Sequence, residues 1–166
     1  MAHLPVAEYL ETLPHGTVFA AVHLTDEQDN PLLLRSVYDP EEWQFGGGNL
    51  EFADLADGLW SCARRETCEE TGLELPERPG PLLVVVYAPP AGAWPFKLGF
   101  VFDGGTLTDR RIAGIRLDPG EHSSYAVRPL GEWRRLVAPR RLRLIEAAAQ
   151  ARADGRTVVL HLGAEA

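Results

Sequence analysis

The sequence predicts an α/β fold on a central mixed β-sheet, and three observations carry that prediction. Short apolar runs alternate with amphipathic stretches, with no linker, repeat or low-complexity tract between them. Residues 81–87 are apolar throughout, as in a strand covered on both faces. With 166 residues and 45% apolar content the chain can bury a substantial core, and residues 1–166 are read as a single domain.

The elements follow in order. Residues 17–24 and 31–37 read as strands, with the polar stretch 25–30 as a hairpin turn. Residues 43–45 lead into Gly46, Gly47 and Gly48. A helix is expected from about Asp57, acting as N-cap, to Thr71, with Gly72 ending it. Residues 81–87 and 96–102 supply central strands, and Asp103-Gly104-Gly105 signals a turn. Residues 112–117 and 125–130 read as weaker strands. Residues 139–153 form an amphipathic helix through Leu142, Leu144, Ile145 and Ala148 or Ala149, and residues 157–162 a last strand.

Charge is unevenly spread. Residues 1–77 hold 16 acids and 3 bases, net −13, and residues 78–166 hold 8 acids and 13 bases, net +5, which sums to −8. An acidic chain is a poor general nucleic-acid binder, so no stable nucleic-acid complex is expected. A basic half opposite a metal-loaded acidic half would guide a phosphate anion. No basic-then-apolar leader and no apolar run of membrane-spanning length is present, so a cytoplasmic protein without membrane attachment is expected. Cys62 and Cys68 fall on different faces of one predicted helix, beyond disulfide reach, as suits a reducing compartment.

The helix over 57–71 carries the chemistry. Glu66, Glu69 and Glu70 crowd into about one turn, where each like-charged pair costs about 0.2–0.5 kcal/mol. The last turn of a helix penalises acids by a further ~0.3–1 kcal/mol each. Leu59, Cys62 and Leu73 trace an inward seam on which Glu66 and Glu69 stand where Leu belongs. A divalent cation resolves all three conflicts, and an all-oxygen set selects Mg2+ or Mn2+ over zinc. Gly46, Gly47 and Gly48, lacking Cβ, let backbone carbonyls face a metal or amides a phosphate. Arg65 can pair with Glu69 or reach Asp57. Arg35, at the end of an apolar strand, is a candidate for substrate phosphate, and Glu121, after Pro119-Gly120, for a catalytic or metal role. His15, His23, His122 and His161 show no ligand spacing, and no nucleophile elbow is present.

The run from Arg65 to Leu73 (Arg-Glu-Thr-Cys-Glu-Glu-Thr-Gly-Leu), after Trp43-Gln44-Phe45-Gly46-Gly47-Gly48, resembles the signature box of the Nudix hydrolases. That box is a glycine, an isolated glutamate, then Arg-Glu-apolar-x-Glu-Glu-x-Gly-apolar. Thr67 replaces the aliphatic residue and Gly46 the usual proline. Counting back from Arg65 puts the isolated acid on Asp57, three residues further from Gly48 than the family pattern allows. The resemblance implies an α/β/α sandwich and a metal-dependent pyrophosphohydrolase that cleaves a nucleoside diphosphate linked to another moiety by water attack on phosphorus. It implies that Glu66, Glu69 and Glu70 hold Mg2+, with Mn2+ as substitute, and that a carbonyl of Gly47 or Gly48 completes the shell. Glu69, or Glu121 from a later loop, would be the general base, with Arg65 orienting. The partner is a small nucleotide or other diphosphate, and a homodimer is compatible. A second reading is a non-catalytic module of the same fold that binds a nucleotide or ADP-ribose-like ligand; such modules typically lose box carboxylates that this chain keeps.

Overall fold

From Ala20 to Thr25 every residue of strand β1 (Gly16–Thr25) is buried, which requires cover on both faces of the sheet. The computed structural model, which describes residues 4–163, supplies that cover. β1 pairs antiparallel with β4 (Gly46–Asn49) and parallel with β6 (Phe96–Thr106). β6 pairs antiparallel with β5 (Leu82–Ala88), and β5 parallel with β8 (Val158–His161). The result is a mixed five-stranded sheet in the order β4-β1-β6-β5-β8. Ala20, Val22 and Leu24 pack with Trp60, Cys62 and Ala63 of helix α2 (Leu59–Thr71). Ala21 packs on the other side with Val84, Val86, and Leu144, Ile145 and Ala148 of α5 (Pro139–Asp154). The strand alternation thus sorts the core into two layers, and the expected α/β/α sandwich is present.

Several local expectations are corrected. Residues 25–30 do not close a hairpin, because β2 (Leu32–Ser36) leaves β1 for a second sheet, β3-β2-β7, with β3 at Trp43–Gln44 and β7 at His122–Val127. Asp26 accounts for the sharp exit: its carboxylate accepts the backbone N–H groups of Gln28 and Asn30, at 2.9 and 2.8 Å, and leaves only a bridge between Thr25 and Pro31. Asp103-Gly104-Gly105 is a bulge inside β6, with His23 paired to Asp103 and Leu24 to Gly105. Residues 112–117 form no strand; Asp109–Ala113 is helix α3, with the Thr108 hydroxyl accepting from Arg111 N. Residues 128–130 leave β7 because Pro129 stands as N-cap of α4 (Leu130–Leu136). Trp133 of α4 is fully buried, its Nε1–H donating to Pro31 O at 3.1 Å. Near the N-terminus, α1 (Val6–Glu11) buries none of its residues.

α2 starts one residue later than expected. Gly58, at φ +83°, is the N-cap, no side chain caps the helix, and Asp57 is exposed. The buried residues are Trp60, Cys62, Ala63, Thr67, Glu70 and Thr71, so the inward seam runs one position round from the one drawn through Leu59. Glu70 is therefore the inward acid and Glu69 the exposed one.

Candidate active site

The three glycines are a strand, not a loop. Pairing of β4 with β1 sets Gly48 opposite Ala20 and Gly47 opposite Ala21. A Cβ on Gly48 would lie 2.3 Å from Glu66 Cδ, and one on Gly47, at φ +142°, 2.3 Å from Ala20 O. Absent Cβ atoms are what let the carboxylates of α2 lie against this edge strand. One contact follows directly: Gly47 N–H donates to Glu70 Oε2 at 2.7 Å.

Arg65 is surrounded by acids. Its Nε and Nη2 donate to Asp54 Oδ1 and Oδ2 at 3.2 and 2.9 Å, Nη2 also reaches Glu66 Oε1 at 2.9 Å, and Nη1 reaches Glu69 Oε2 at 3.0 Å. Asp54 sits buried in a 3-10 turn (Phe52–Leu55), and its Oδ2 also accepts Glu51 N–H at 2.9 Å. The Arg65 hydrogen bonds hold the Asp54 carboxyl below its usual pKa although burial opposes them. This overturns the assignment of the isolated acid to Asp57. Asp54 stands three residues nearer Gly48, at the distance the family pattern asks for, and the three extra residues fall between Asp54 and Arg65. Counting back from Arg65 crossed that insertion.

Glu70 is 2% exposed and meets a partner the sequence concealed: its Oε1 lies 2.8 Å from His122 Nε2. Burial pushes the Glu70 carboxyl up, against the hydrogen bonds of His122 and Gly47, and the Glu121 charge adds to the rise. Burial draws the His122 imidazole down, but the hydrogen bond and charge of Glu70 leave it raised. Burial also lifts Glu66, with Arg65 opposing and the charges of Glu70 and Glu69 adding. Glu121 stays exposed, yet one ligand atom each of Glu70, Glu121 and His122 lie within 4.8 Å of one another.

These residues fit a hard divalent cation. Burial holds two acids at raised pKa, neighbouring acids add to the rise, the donors are mostly carboxylate oxygens, and the edge strand is stripped of side chains where it faces them.

Beside β4 opens a cleft of about 680 Å³ between the sheet and the start of α5. Gly47, Gly48 and Asn49 form one wall, Ala21, Val86 and Ala88 the floor, and Trp94, Lys97, Arg140 and Arg141 the far end. Arg35 does not line it: its Nε–H donates to Pro40 O, its guanidinium lies 5.8 Å from the Trp43 ring centroid, and Glu41 is its ion-pair partner at 3.9 Å. Arg65, Glu66, Glu69, Glu70, Glu121 and the three glycines are thus brought together, and Arg35 is not. Asp54 and His122 were missed. Counting forward from Gly48 would have found Asp54, but no local signal links His122 to a residue 52 positions away.

The chain belongs to the NUDIX domain family, whose model matches residues 14–148. Among solved structures, the MutT protein of Methanosarcina mazei Go1 is similar at 19% identity and TM-score 0.64, covering 87% of this chain and 98% of that one. An Ap4A hydrolase binary complex from C. elegans matches at 17% identity and TM-score 0.62, covering 83% and 98%. The NUDIX domain of Shewanella oneidensis NrtR, complexed with ADP ribose, matches at 18% identity and TM-score 0.66, covering 89% and 98%. At these identities the neighbours establish the fold. No curated protein matches the sequence. Family and neighbours together support a hydrolase acting on diphosphate bonds.

Proposed function

We infer that this protein is a Mg2+-dependent pyrophosphohydrolase, with Mn2+ as an alternative ion, that cleaves a nucleoside diphosphate joined to another group. The observation that carries this reading is the convergence of Glu66 and Glu70, both at raised pKa, on a side-chain-free strand that also walls a cleft of about 680 Å³. Glu66, Glu69, Glu70 and the Gly48 carbonyl are the groups that would hold the cation, with Glu121 and His122 beside them. Bound there, a divalent cation supplies Lewis acidity, offsetting diphosphate charge and lowering the pKa of water.

The chain's own residues account for the rest. Gly47 N–H and His122 fix the Glu70 carboxylate, and Asp54 fixes the Arg65 fork, which in turn holds Glu66 and Glu69. Glu69 presents its Oε1, which has no hydrogen-bond partner among the described residues, to solvent at the mouth of the site, as a general base needs. It takes a proton from water as the water oxygen bonds to phosphorus and the bond to the leaving phosphate oxygen breaks. Glu121 is the alternative base from the loop before β7. The apolar floor of the cleft takes the nucleoside.

The test is phosphate or nucleotide release from a panel of nucleotide sugars, ADP-ribose, dinucleoside polyphosphates and oxidised nucleoside triphosphates. Cleavage of at least one member with Mg2+, its loss with a chelator and poor rescue by zinc are expected. Full activity after exhaustive metal removal would overturn the mechanism, and metal-independent binding of a panel member without cleavage would favour the ligand-binding module.

A further inference from the structure

The far end of the cleft gathers cations, two of which no protein carboxylate pairs. Lys97 on β6 and Arg140 and Arg141 at the start of α5 all line it. Three acids line the cleft as well: Glu42 pairs with Arg141, Glu41 with Arg35 at 3.9 Å, and Asp39 Oδ1 accepts Glu41 N–H at 3.0 Å. Lys97 and Arg140 have no carboxylate partner within ion-pair distance among the described residues. The Lys97 ammonium rests 3.6 Å from the centroid of the Trp94 ring, whose indole is 53% exposed at the cleft edge. Burial holds Lys97 below its usual pKa, with Arg140 and Arg141 adding to the effect and Glu42 opposing. The carboxylates of α2, which meet the cleft only at Gly47 and Gly48, ask for a cation; the unpaired cations of the cleft ask for an anion.

Sheet register separates the two. Gly48 pairs with Ala20 of β1, and Lys97 pairs with Thr17 of β1 on its other side. Three residues along the strands at about 3.3 Å and two inter-strand steps at about 4.8 Å put Lys97 roughly 14 Å from Gly48, backbone to backbone. The Lys97 side chain spans part of that gap, so a phosphoryl group further along the substrate than the scissile diphosphate is the one that meets its ammonium.

Resting on the hydrolase reading above, we propose that the cleft selects substrates bearing a second phosphoryl group, remote from the scissile diphosphate, which Lys97 and Arg140 bind at its far end. Such a group is a 2′- or 3′-phosphate on the ribose or the distal phosphate of a longer polyphosphate chain.

Binding without metal isolates this subsite from turnover. Calorimetry in EDTA would compare AMP with adenosine 2′,5′-bisphosphate, adenosine 3′,5′-bisphosphate and ATP. At least one ligand with the extra phosphate should bind ten-fold or more tighter than AMP. Preference for a bisphosphate identifies a ribose phosphate, and preference for ATP a linear chain. Lys97→Met and Arg140→Gln should each bring the ratio to within about three-fold of one, while Arg110→Gln, which removes the same charge outside the cleft, should leave it unchanged. Equal affinity for all four ligands, or an Arg110→Gln effect as large as that of Arg140→Gln, would overturn the proposal. Because no cleavage is needed, failure of the hydrolysis panel leaves this result standing, and the reverse holds too. If hydrolysis is found, the ratios of kcat/KM for NADPH over NADH and coenzyme A over its 3′-dephospho form supply the matching kinetic test.

Discussion

Two arginines on helices that cover opposite faces of the sheet, Arg65 on α2 and Arg152 on α5, each gather acids, and their surroundings differ in one respect. Arg152 donates to Asp103 and Asp29, both at 3.2 Å, to Thr106 at 2.8 Å and to Thr25. One cation meets two carboxylates and two hydroxyls, and together they tie α5 to β1 and β6. Arg65 meets three carboxylates, with Glu70 and Glu121 behind them. The first network leaves one negative charge over, with Asp29 in solvent to relieve it, and the second leaves two over on Arg65 alone, with the buried Glu70 behind them. Surplus charge held away from water is costly unless something else binds it, which is why the second, open network is the candidate site and the first, closed by hydroxyls and solvent, reads as scaffold.

The sharpest way to break that comparison is to remove one surplus charge. Glu66→Gln should lower kcat/KM by about 10²–10³-fold, the scale of losing one group that stabilises transition-state charge, while melting in metal-free buffer stays the same or rises. Loss of the cooperative transition instead would make Glu66 structural, like the acids around Arg152.

The next effect lies in the closed region. His23, 1% exposed with Nδ1 unpartnered, is pulled from 6.5 to about 4, first by burial and then by the Arg152 charge, against Asp103 and Asp29. Between those values the unfolded chain binds the proton that the folded one refuses. Stability from this residue is therefore complete above pH 6.5 and falls as pH drops towards 4, by about 3 kcal/mol in all. In His23→Phe that share of the slope should vanish in urea titrations at pH 7 and pH 4, and an unchanged slope would place the shift elsewhere.

Asp54→Asn comes third. It should cut turnover by about 10–100-fold with little change in melting temperature, as losses of ligand-supporting groups do, whereas Asp57→Asn should do nothing. Equal effects would return the supporting role to Asp57. Smallest is Arg152→Met, which should cost about 1–3 kcal/mol of stability by leaving partly buried acceptors without their donor, with activity per folded molecule retained. A larger loss of activity than of stability would mean the two networks are coupled.

The elements legible in the sequence are those whose evidence is local. Residues 81–87 announce a central strand because they are apolar on both faces, residues 96–102 do so with only Lys97 interrupting, and the run from Arg65 to Gly72 announces its chemistry because three acids within one helical turn conflict wherever that turn sits. What the sequence could not give depends on partners distant along the chain. Residues 25–30 look like a hairpin turn, yet which sheet β2 joins is settled by β7, about ninety residues later. The seam of α2 lies one position round from the one the sequence suggests because Trp60 and Ala63, packed on β1 beside Cys62, set the helix's phase, and that step exchanges the buried acid from Glu69 to Glu70. Asp54 and Asp57 are chemically the same; counting from Gly48 favours one and counting from Arg65 the other, and the 3-10 turn that folds Asp54 under Arg65 decides between them. His122 carries no signature at all: the return of β7 along β2 brings it to Glu70. Sequence by itself determined that a charge conflict exists here and what class of ion relieves it, because like charges a turn apart repel in any context. Tertiary structure decided which acid is buried, which arginine partner is real and where the opposite charge collects, because those depend on the register of strands and the phase of one helix.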